Sequence, residues 1–173
     1  MIGLKEKISY GFGDMASSMF WKIFGMYMLY FYTDVFGLAP AAVGTMFLIT
    51  RIWDSVNDPI FGIVADRTRS RWGKFRPWIL FGAVPFSVLG VLTFLVPPAT
   101  WTPAMRLLYA YVTYTSMMMV YSAVNVPYAS LLGVISPDGR DRNALSSFRM
   151  FFAYAGSFVA QALVEPPVRS YSE

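Results

Sequence analysis

The 173-residue chain is 56% hydrophobic and 18% aromatic, and only 14% of its residues are charged, whereas a soluble domain carries about 25% charged residues. It contains no cysteine and no histidine, which excludes a disulfide framework, a thiolate metal site and the usual general base. Its net charge of +4 lies mostly in loops between apolar segments, so we expect a membrane protein with a lipid bilayer, and no nucleic acid, as its partner.

Five hydrophobic segments follow one another along the chain. They cover approximately residues 8–32, 42–65, 78–96, 105–135 and 147–164. Each is long enough to cross a bilayer, which takes about 20 apolar residues. The sequence therefore predicts an all-α polytopic membrane protein. Pro127 lies within the fourth segment, and we expect it to kink that helix or to end its regular part.

The connections between these segments differ in charge. The connection at residues 66–77 carries five Lys or Arg residues and the one at 136–143 carries two, whereas the connection at 33–40 carries none. Placing the N-terminus on the side of the two basic loops collects nine of the fourteen cations there. The positive-inside rule then predicts a multi-pass protein of the cell (inner) membrane with a cytoplasmic N-terminus.

Two carboxylates stand within the second segment. Asp54 and Asp58 are four residues apart, so a helix puts both on one face, with Arg51 one turn earlier. Carboxylates at bilayer depth are costly and usually face a bundle interior or an aqueous cavity, where they handle a cation, a proton or a polar solute. Since two ionised carboxylates on adjacent turns repel each other, they favour sharing a cation or a proton. The alternative is a structural ion-pair network with Arg51 or Lys22.

Several strings of residues resemble those of one transporter family. Gly62, followed by Asp66 and Arg67 in a basic loop between two apolar helices, resembles the helix 2–3 signature of the major facilitator superfamily. More specific strings are RWGKFRPW at 71–78, YGFGD at 10–14, FYTDV at 31–35 and RIWDSVNDP at 51–59. The chain is therefore similar to the glycoside–pentoside–hexuronide cation symporters, the family of the melibiose permease, over residues 7–78 and more weakly as far as Arg149.

The resemblance implies a fold and an activity. It implies the N-terminal half of a major facilitator transporter, with about five of its twelve transmembrane helices, and an absent C-terminal half that is the partner of this chain. It also implies symport of a sugar or glycoside with sodium or a proton by alternating access, with no cofactor besides that coupling cation. The chain alone is then expected to be a truncated, non-transporting fragment.

The resemblance also assigns a cation site. The matching aspartates of the family form its coupling-cation site, with a hydroxyl from helix 4 nearby, so Asp54 and Asp58 are the expected ligands and Ser122 stands at the hydroxyl position. Sodium needs several oxygen donors, and Asn57 can supply another. Sodium at the two aspartates is the one metal that we expect.

Lys22 lies in the middle of the first segment, too deep to reach the interface easily by snorkelling. An ammonium group there needs an anionic partner, and the aspartates of the second segment are the obvious candidates. Our hypothesis is that Lys22 acts as an internal cation that biases the protein towards proton coupling or away from sodium dependence.

Sugar binding is expected from the first, fourth and fifth segments. Sugars need planar hydrogen-bonding groups for their hydroxyls and an aromatic face for their C–H surface. By resemblance, Asn125 occupies the place of a sugar-binding aspartate and Arg149 that of a sugar-binding arginine. Tyr121 and Tyr128 are the aromatic candidates, with ordinary helix packing as the alternative for both.

The first segment adds two further sugar-binding candidates. Ser18 stands where the family has an aspartate that binds sugar. Asp14, one turn earlier, shares the face of Ser18 and serves either sugar binding or structure.

A gating or structural role is expected for the loop after the second segment. The resemblance assigns this role to Gly62, Asp66, Arg67, Arg71 and Lys74. Asp66 can accept hydrogen bonds from helix N-termini, and the arginines can pair with carboxylates or lipid phosphates. The alternative is a loop that serves only as a basic topology anchor.

Two other functions remain open from the sequence. One is a major facilitator carrier of another amphiphile, such as a lysolipid, and the other is a non-transporting membrane protein that binds or scaffolds a partner. An enzyme is not expected, because the chain has no histidine, no cysteine and no Gly-x-Ser-x-Gly nucleophile.

Overall fold

All regular structure in the described part of the chain is helical. The computed structural model describes residues 2–98 and 100–170, except for the side chains of 165–170. Its helices are α1 (Leu4–Tyr30), α2 (Pro40–Arg67), α3 (Arg76–Thr93), α4 (Pro103–Ile135) and α5 (Gly139–Ser170), and α1 continues into a π-helical turn over Phe31–Val35. The prediction of a helical chain is confirmed for these residues.

Proline and glycine account for several helix ends. α2 and α4 begin at Pro40 and Pro103, and Pro77 lies in the first turn of α3, where the missing N–H of proline removes no intrahelical hydrogen bond. Gly37, just after the π-helical turn, has a φ of 74°, which glycine adopts without steric strain. Pro127 does not end its helix, since α4 continues to Ile135.

The chain folds as two compact units. The first contains the chain up to Met28 together with the chain from Leu132 onwards, and the second is Leu29–Leu131. The first unit therefore holds most of α1 and all of α5, and the second holds α2, α3 and most of α4.

In the first unit, α1 and α5 approach each other closely. A Cβ atom added at Gly156 of α5 would lie 2.7 Å from the backbone oxygen of Met15, so the two helix backbones meet where glycine has no side chain. The rings of Phe12 and Phe152 pack with their centroids 4.9 Å apart. The backbone N–H of Ile2 donates to Asp141 Oδ2 at 3.2 Å, which connects the start of the chain to the first turn of α5.

In the second unit, α4 packs against both α2 and α3. A Cβ atom at Gly82 of α3 would lie 2.3 Å from Val124 Cγ2 of α4, and Tyr109 donates its hydroxyl hydrogen to the Leu92 carbonyl at 2.7 Å. Phe47 of α2 and Tyr114 of α4 have ring centroids 5.1 Å apart. The fully buried side chains at the centre of this unit include Tyr32, Phe36, Val43, Met46 and Met117.

Two of the described helices, α3 and α4, are long and apolar enough by length and composition to cross a membrane. α1 and α2 contain charged side chains within their apolar stretches, among them Lys22, Arg51, Asp54 and Asp58. Charged residues lower the mean hydropathy of a helix whether or not it spans a bilayer, and this explains why α1 and α2 are less apolar than α3 and α4.

Candidate functional site

A buried polar stripe runs along α2. Thr50, Asp54 and Asn57 are 1%, 9% and 6% exposed, and they are spaced at four and three residues, which places them on one helix face. Val43 and Met46 continue the same buried face towards the start of α2. A carboxylate and a carboxamide are thus enclosed on a helix whose other buried residues are largely apolar.

Two atoms of this stripe have no hydrogen-bond partner among the described residues. They are Asp54 Oδ1 and Asn57 Nδ2, and both are buried. Leaving a buried polar atom unsatisfied costs about 1–3 kcal/mol, and more where the group is charged. A proton, a metal cation or a water molecule at Asp54 Oδ1 would remove most of this cost.

α4 presents further polar groups to the interior of the same unit. Ser122 is 5% exposed, and its role as the hydroxyl ligand of a coupling cation stays a prediction. Tyr114, two turns earlier on α4, interacts electrostatically with both Asp54 and Arg51. The phenol of Tyr114 therefore lies within electrostatic range of the buried carboxylate of α2.

The second aspartate is placed differently from the first. Asp58 is exposed, as are Arg51 and Ser55, whereas Asp54 is buried. Residues four apart on a helix differ by about 40° around its axis, which is enough to move Asp58 to the edge of the buried stripe. Asp58 still repels the negative charge of Asp54, and Arg51 attracts it.

The residues that the structure describes contain no group of three or more His, Cys, Asp or Glu side chains able to hold a metal ion. Asp54 and Asp58 stay the predicted carboxylate ligands of a coupling cation.

In the first unit, Arg149 of α5 forms a bidentate ion pair with Asp14 of α1. Arg149 Nε contacts Asp14 Oδ2, and Nη2 donates to Oδ1 at 3.1 Å. The guanidinium carbon lies 5.6 Å from the ring centroid of Tyr10, within the range of a cation–π interaction. The arginine expected to bind sugar is thus held in place by a carboxylate and a tyrosine one turn apart on α1.

The other expected sugar-binding residues are half-buried or buried. Tyr121 and Asn125 of α4 are half-buried and Tyr128 is buried, while Ser18 of α1 is half-buried. The Tyr121 ring lies 5.8 Å from that of Phe86, which supports a packing role for at least one of its faces. Lys22 is half-buried in α1, and its pairing with the aspartates of α2 stays a prediction.

The loop between α2 and α3 is a compact turn with exposed charges. Asp66, Arg67, Arg71 and Lys74 are all exposed. Gly62, one turn before Asp66, is half-buried, and a Cβ atom there would meet Val126 of α4 at 3.7 Å, an ordinary contact distance.

Hydrogen bonds define the shape of this turn. The N–H of Gly73 donates to the Ser70 carbonyl at 3.1 Å, and the Ser70 hydroxyl donates to the Gly73 carbonyl at 2.7 Å. Trp78 Nε1 donates to Thr68 Oγ1 at 3.0 Å, which ties the start of α3 to the end of α2. Gly73 has a φ of 93°, so a residue with a side chain would be strained there.

Three residues of these clusters escaped the sequence reasoning: Thr50, Tyr114 and Tyr10. Thr50 is one turn before Asp54, and its spacing could have indicated the shared buried face. Tyr114 is eight residues before Ser122, so the helical period could have placed both on one face of α4. Tyr10 has no such signal, because only the packing of α5 against α1 brings it to Arg149.

Together, the long apolar helices and the charged residues within them are typical of a helical membrane protein. Residues 9–171 match the family described as MFS/sugar transport protein, and the chain belongs to this family. Its expected fold class, the N-terminal part of a major facilitator transporter, is thereby confirmed. Since the family consists of transporters, the expectation that the chain is not an enzyme is confirmed as well.

Individual relatives agree with this assignment. The chain is 46% identical to the inner membrane symporter YicJ of Escherichia coli over 97% of its own length and 36% of the relative. It is 39% identical to the isoprimeverose transporter of Lactiplantibacillus pentosus over 97% of the chain and 35% of that protein. It is 35% identical to the glucuronide carrier protein homolog of E. coli over 95% of the chain and 36% of that protein.

These relatives confirm the similarity to the glycoside–pentoside–hexuronide symporters. The chain spans about a third of the length of the curated relatives that it matches.

Proposed function

We propose that the intact protein is a cation-coupled symporter of a sugar or glycoside that works by alternating access. The observation that carries this proposal is the enclosed Asp54 carboxylate, whose Oδ1 atom has no hydrogen-bond partner among the described residues. The names of its relatives support the substrate class, because they include a putative glycoside/cation symporter and an isoprimeverose transporter.

In the proposed cation site, Asp54 is the central ligand. Asp58 at the edge of the buried stripe supplies the second carboxylate, and Asn57 and Ser122 supply neutral oxygens. A cation here neutralises the buried charge and satisfies Oδ1, so the site is most stable when it is occupied. Sodium and the proton are the two candidates, and Lys22 favours the proton if its ammonium group reaches these aspartates.

In the proposed sugar site, Asn125 and Arg149 bind hydroxyl groups and Tyr121 or Tyr128 offers an aromatic face. Arg149 is proposed to contact the sugar while it remains paired with Asp14 through the bidentate ion pair. Ser18, one turn after Asp14, adds a hydroxyl on the same face of α1. The proposed role of Asp14 is therefore to orient Arg149.

Coupling follows if occupation of one site stabilises the conformation that binds the other ligand. A cation that raises the affinity for sugar must gain affinity from sugar by the same factor. The loop with Asp66, Arg67, Arg71 and Lys74, on the frame provided by Gly62, would then close one face of the membrane in alternate states. The proposed location is the cell inner membrane with the N-terminus in the cytoplasm, as the distribution of cations predicts.

The decisive experiment measures sugar binding by the complete protein in liposomes, with and without sodium and at acidic and neutral pH. We expect one of the two cations to raise the affinity for a glycoside about fivefold or more. Asp54→Asn should abolish this stimulation, whereas Asp34→Asn, which changes an exposed carboxylate after α1, should leave it intact. Equal stimulation in wild type and Asp54→Asn would refute the cation site, and failure of every glycoside to bind would refute the substrate class.

The same assay tests the internal cation. If Lys22 replaces part of the coupling cation, Lys22→Ala should acquire or strengthen a response to sodium. A strict sodium requirement with Lys22 in place would show that its ammonium group does not fill this role.

A further inference from the structure

The outer surface of α3 and α4 carries an apolar groove that the proposed transport function does not use. The groove encloses about 410 Å³, within the range of about 300–1,000 Å³ of small-molecule sites. Its walls include Trp78, Phe81 and Pro85 of α3 and Val120 and Ala123 of α4. The lining is almost entirely hydrocarbon, which suits an acyl chain and offers few hydrogen bonds to a polar solute.

The groove exists because α3 and α4 approach each other closely next to it. A side chain at Gly82, which also lines the groove, would collide with Val124. The α3 backbone at Gly82 therefore lies against the Val124 side chain of α4, which brings the two helices together beside the groove. An acyl chain would bind next to helices that are already in contact.

A second hollow of about 260 Å³ lies at the N-terminal end of α3, lined by Trp72, Arg76 and Leu80. Arg76 and Leu80 alternate along the first turns of α3 with Pro77 and Phe81 of the groove, so charged and apolar surfaces adjoin on this helix. Tryptophan favours the boundary between hydrocarbon and head groups, and Trp72 and Trp78 both lie at this end of α3.

The charges at this end are strongly cationic and unpaired. Residues 66–77 contain the five exposed cations Arg67, Arg69, Arg71, Lys74 and Arg76 and one carboxylate, Asp66. None of the five forms an ion pair with another described residue. Arg71 packs over the Trp72 ring at 4.5 Å, which keeps its charge beside the smaller hollow.

We propose that the groove and the adjoining cations together bind one anionic phospholipid. Its acyl chain lies along Phe81 and Val120, and its phosphate lies at Arg76 beside Trp72. An acidic peptide would match the cations but would leave the apolar groove empty, and a zwitterionic lipid would fill the groove but gain little from four excess positive charges. Only an anionic lipid matches both surfaces. This site is separate from the proposed cation and sugar sites, since it involves neither the buried stripe of α2 nor Arg149, but its cations belong to the loop that is proposed to close one face of the membrane.

The test is lipid retention by the detergent-solubilised chain in native mass spectrometry, with dioleoylphosphatidylglycerol or dioleoylphosphatidylcholine added at equal concentration. We expect the chain to retain about fivefold or more phosphatidylglycerol than phosphatidylcholine, which is the preference that one or more cations near a lipid phosphate give. Arg76→Gln should lower this preference severalfold. Arg140→Gln, which removes an exposed cation from the first turn of α5, is the matched control and should leave it unchanged.

The groove needs its own variant. Ala123→Phe fills it with a ring and should reduce retention of both lipids, provided that circular dichroism shows wild-type helix content. Tryptophan fluorescence of the wild type supplies a measurement that needs no variant. Brominated phosphatidylglycerol should quench it more strongly than brominated phosphatidylcholine does. Equal retention of the two lipids, or an equal effect of Arg76→Gln and Arg140→Gln, would overturn the proposal. The proposal would also be overturned if a poly-glutamate peptide bound wild type and Ala123→Phe equally well and displaced the lipid. That result would indicate an acidic protein partner.

Discussion

The close contact of α1 and α5 at Gly156 leads to a quantitative prediction for Gly156→Ala. A Cβ atom there would lie 2.7 Å from the Met15 carbonyl oxygen and 2.9 Å from Met15 Cγ. Because the first of these atoms belongs to the backbone, a side-chain rotation cannot relieve the collision, and the two helices must move apart. Overpacking of this kind costs about 1–3 kcal/mol.

The substitution also has a favourable contribution. Alanine is preferred over glycine inside a helix by about 0.5–1 kcal/mol. We therefore expect a net loss of about 0.5–2 kcal/mol in the free energy of unfolding. With about 2–4 °C per kcal/mol for a chain of this length, the midpoint of thermal unfolding should fall by about 1–8 °C.

Two other glycines provide matched controls within the same unit. Gly25 has no atom within 4 Å of an added Cβ, so Gly25→Ala should be neutral or stabilising. The three atoms nearest to an added Cβ at Gly11 belong to the Phe152 ring, which can turn aside, so Gly11→Ala should fall between the two. The assay is thermal unfolding in detergent, followed by the helix signal in circular dichroism. If Gly156→Ala were as stable as Gly25→Ala, the close backbone contact of α1 and α5 would be wrong.

Two further predictions concern charged and turn residues. Asp14→Asn should destabilise the chain by about 1.5–3 kcal/mol, which is the typical contribution of a hydrogen bond to a charged group. A double-mutant cycle with Arg149→Gln should give a coupling energy of at least about 0.5 kcal/mol. Strict additivity of the two changes would refute the ion pair. Gly73→Ala should lower stability by about 1–2 kcal/mol because φ is positive there. Gly73→Asn should recover part of the loss, because asparagine tolerates this backbone conformation better than alanine. Equal melting points for wild type and both variants would contradict the positive φ at Gly73.

Much of the fold was predictable because apolar runs and helices coincide over most of this chain. The exception is α5, which begins at Gly139, whereas its apolar run starts near 147. The first turns of α5 contain Arg140, Asp141 and Arg142, so they are helical without being hydrophobic. An apolar run predicts which residues lie in the hydrocarbon core of a membrane, and a helix can continue beyond that core.

The candidate site was predictable to the extent that it follows helical spacing. The spacing of Asp54 and Asn57 places them on one face, and the structure buries both. The same reasoning grouped Asp58 with Asp54, and the structure leaves Asp58 exposed, because an offset of about 40° matters at the edge of a buried stripe. Spacing along one helix does not reveal how far the neighbouring helices cover it.

Contacts between distant helices were beyond the reach of sequence patterns. The pairing of Asp14 with Arg149, and the contact of Gly156 with Met15, depend on how α5 packs against α1. The sequence contained both charged residues and the glycine, but it did not contain the register between the helices.

The separation of these partners has a consequence for biosynthesis. Asp14 and Arg149 are 135 residues apart, and ribosomes add about 5–20 residues per second, so Asp14 is synthesised about 7–27 s before Arg149. Through this interval the carboxylate of Asp14 has no arginine and the surface that will receive Gly156 is uncovered. Synthesis of α1 therefore precedes by many seconds the packing of α5 that pairs Asp14 and covers this surface.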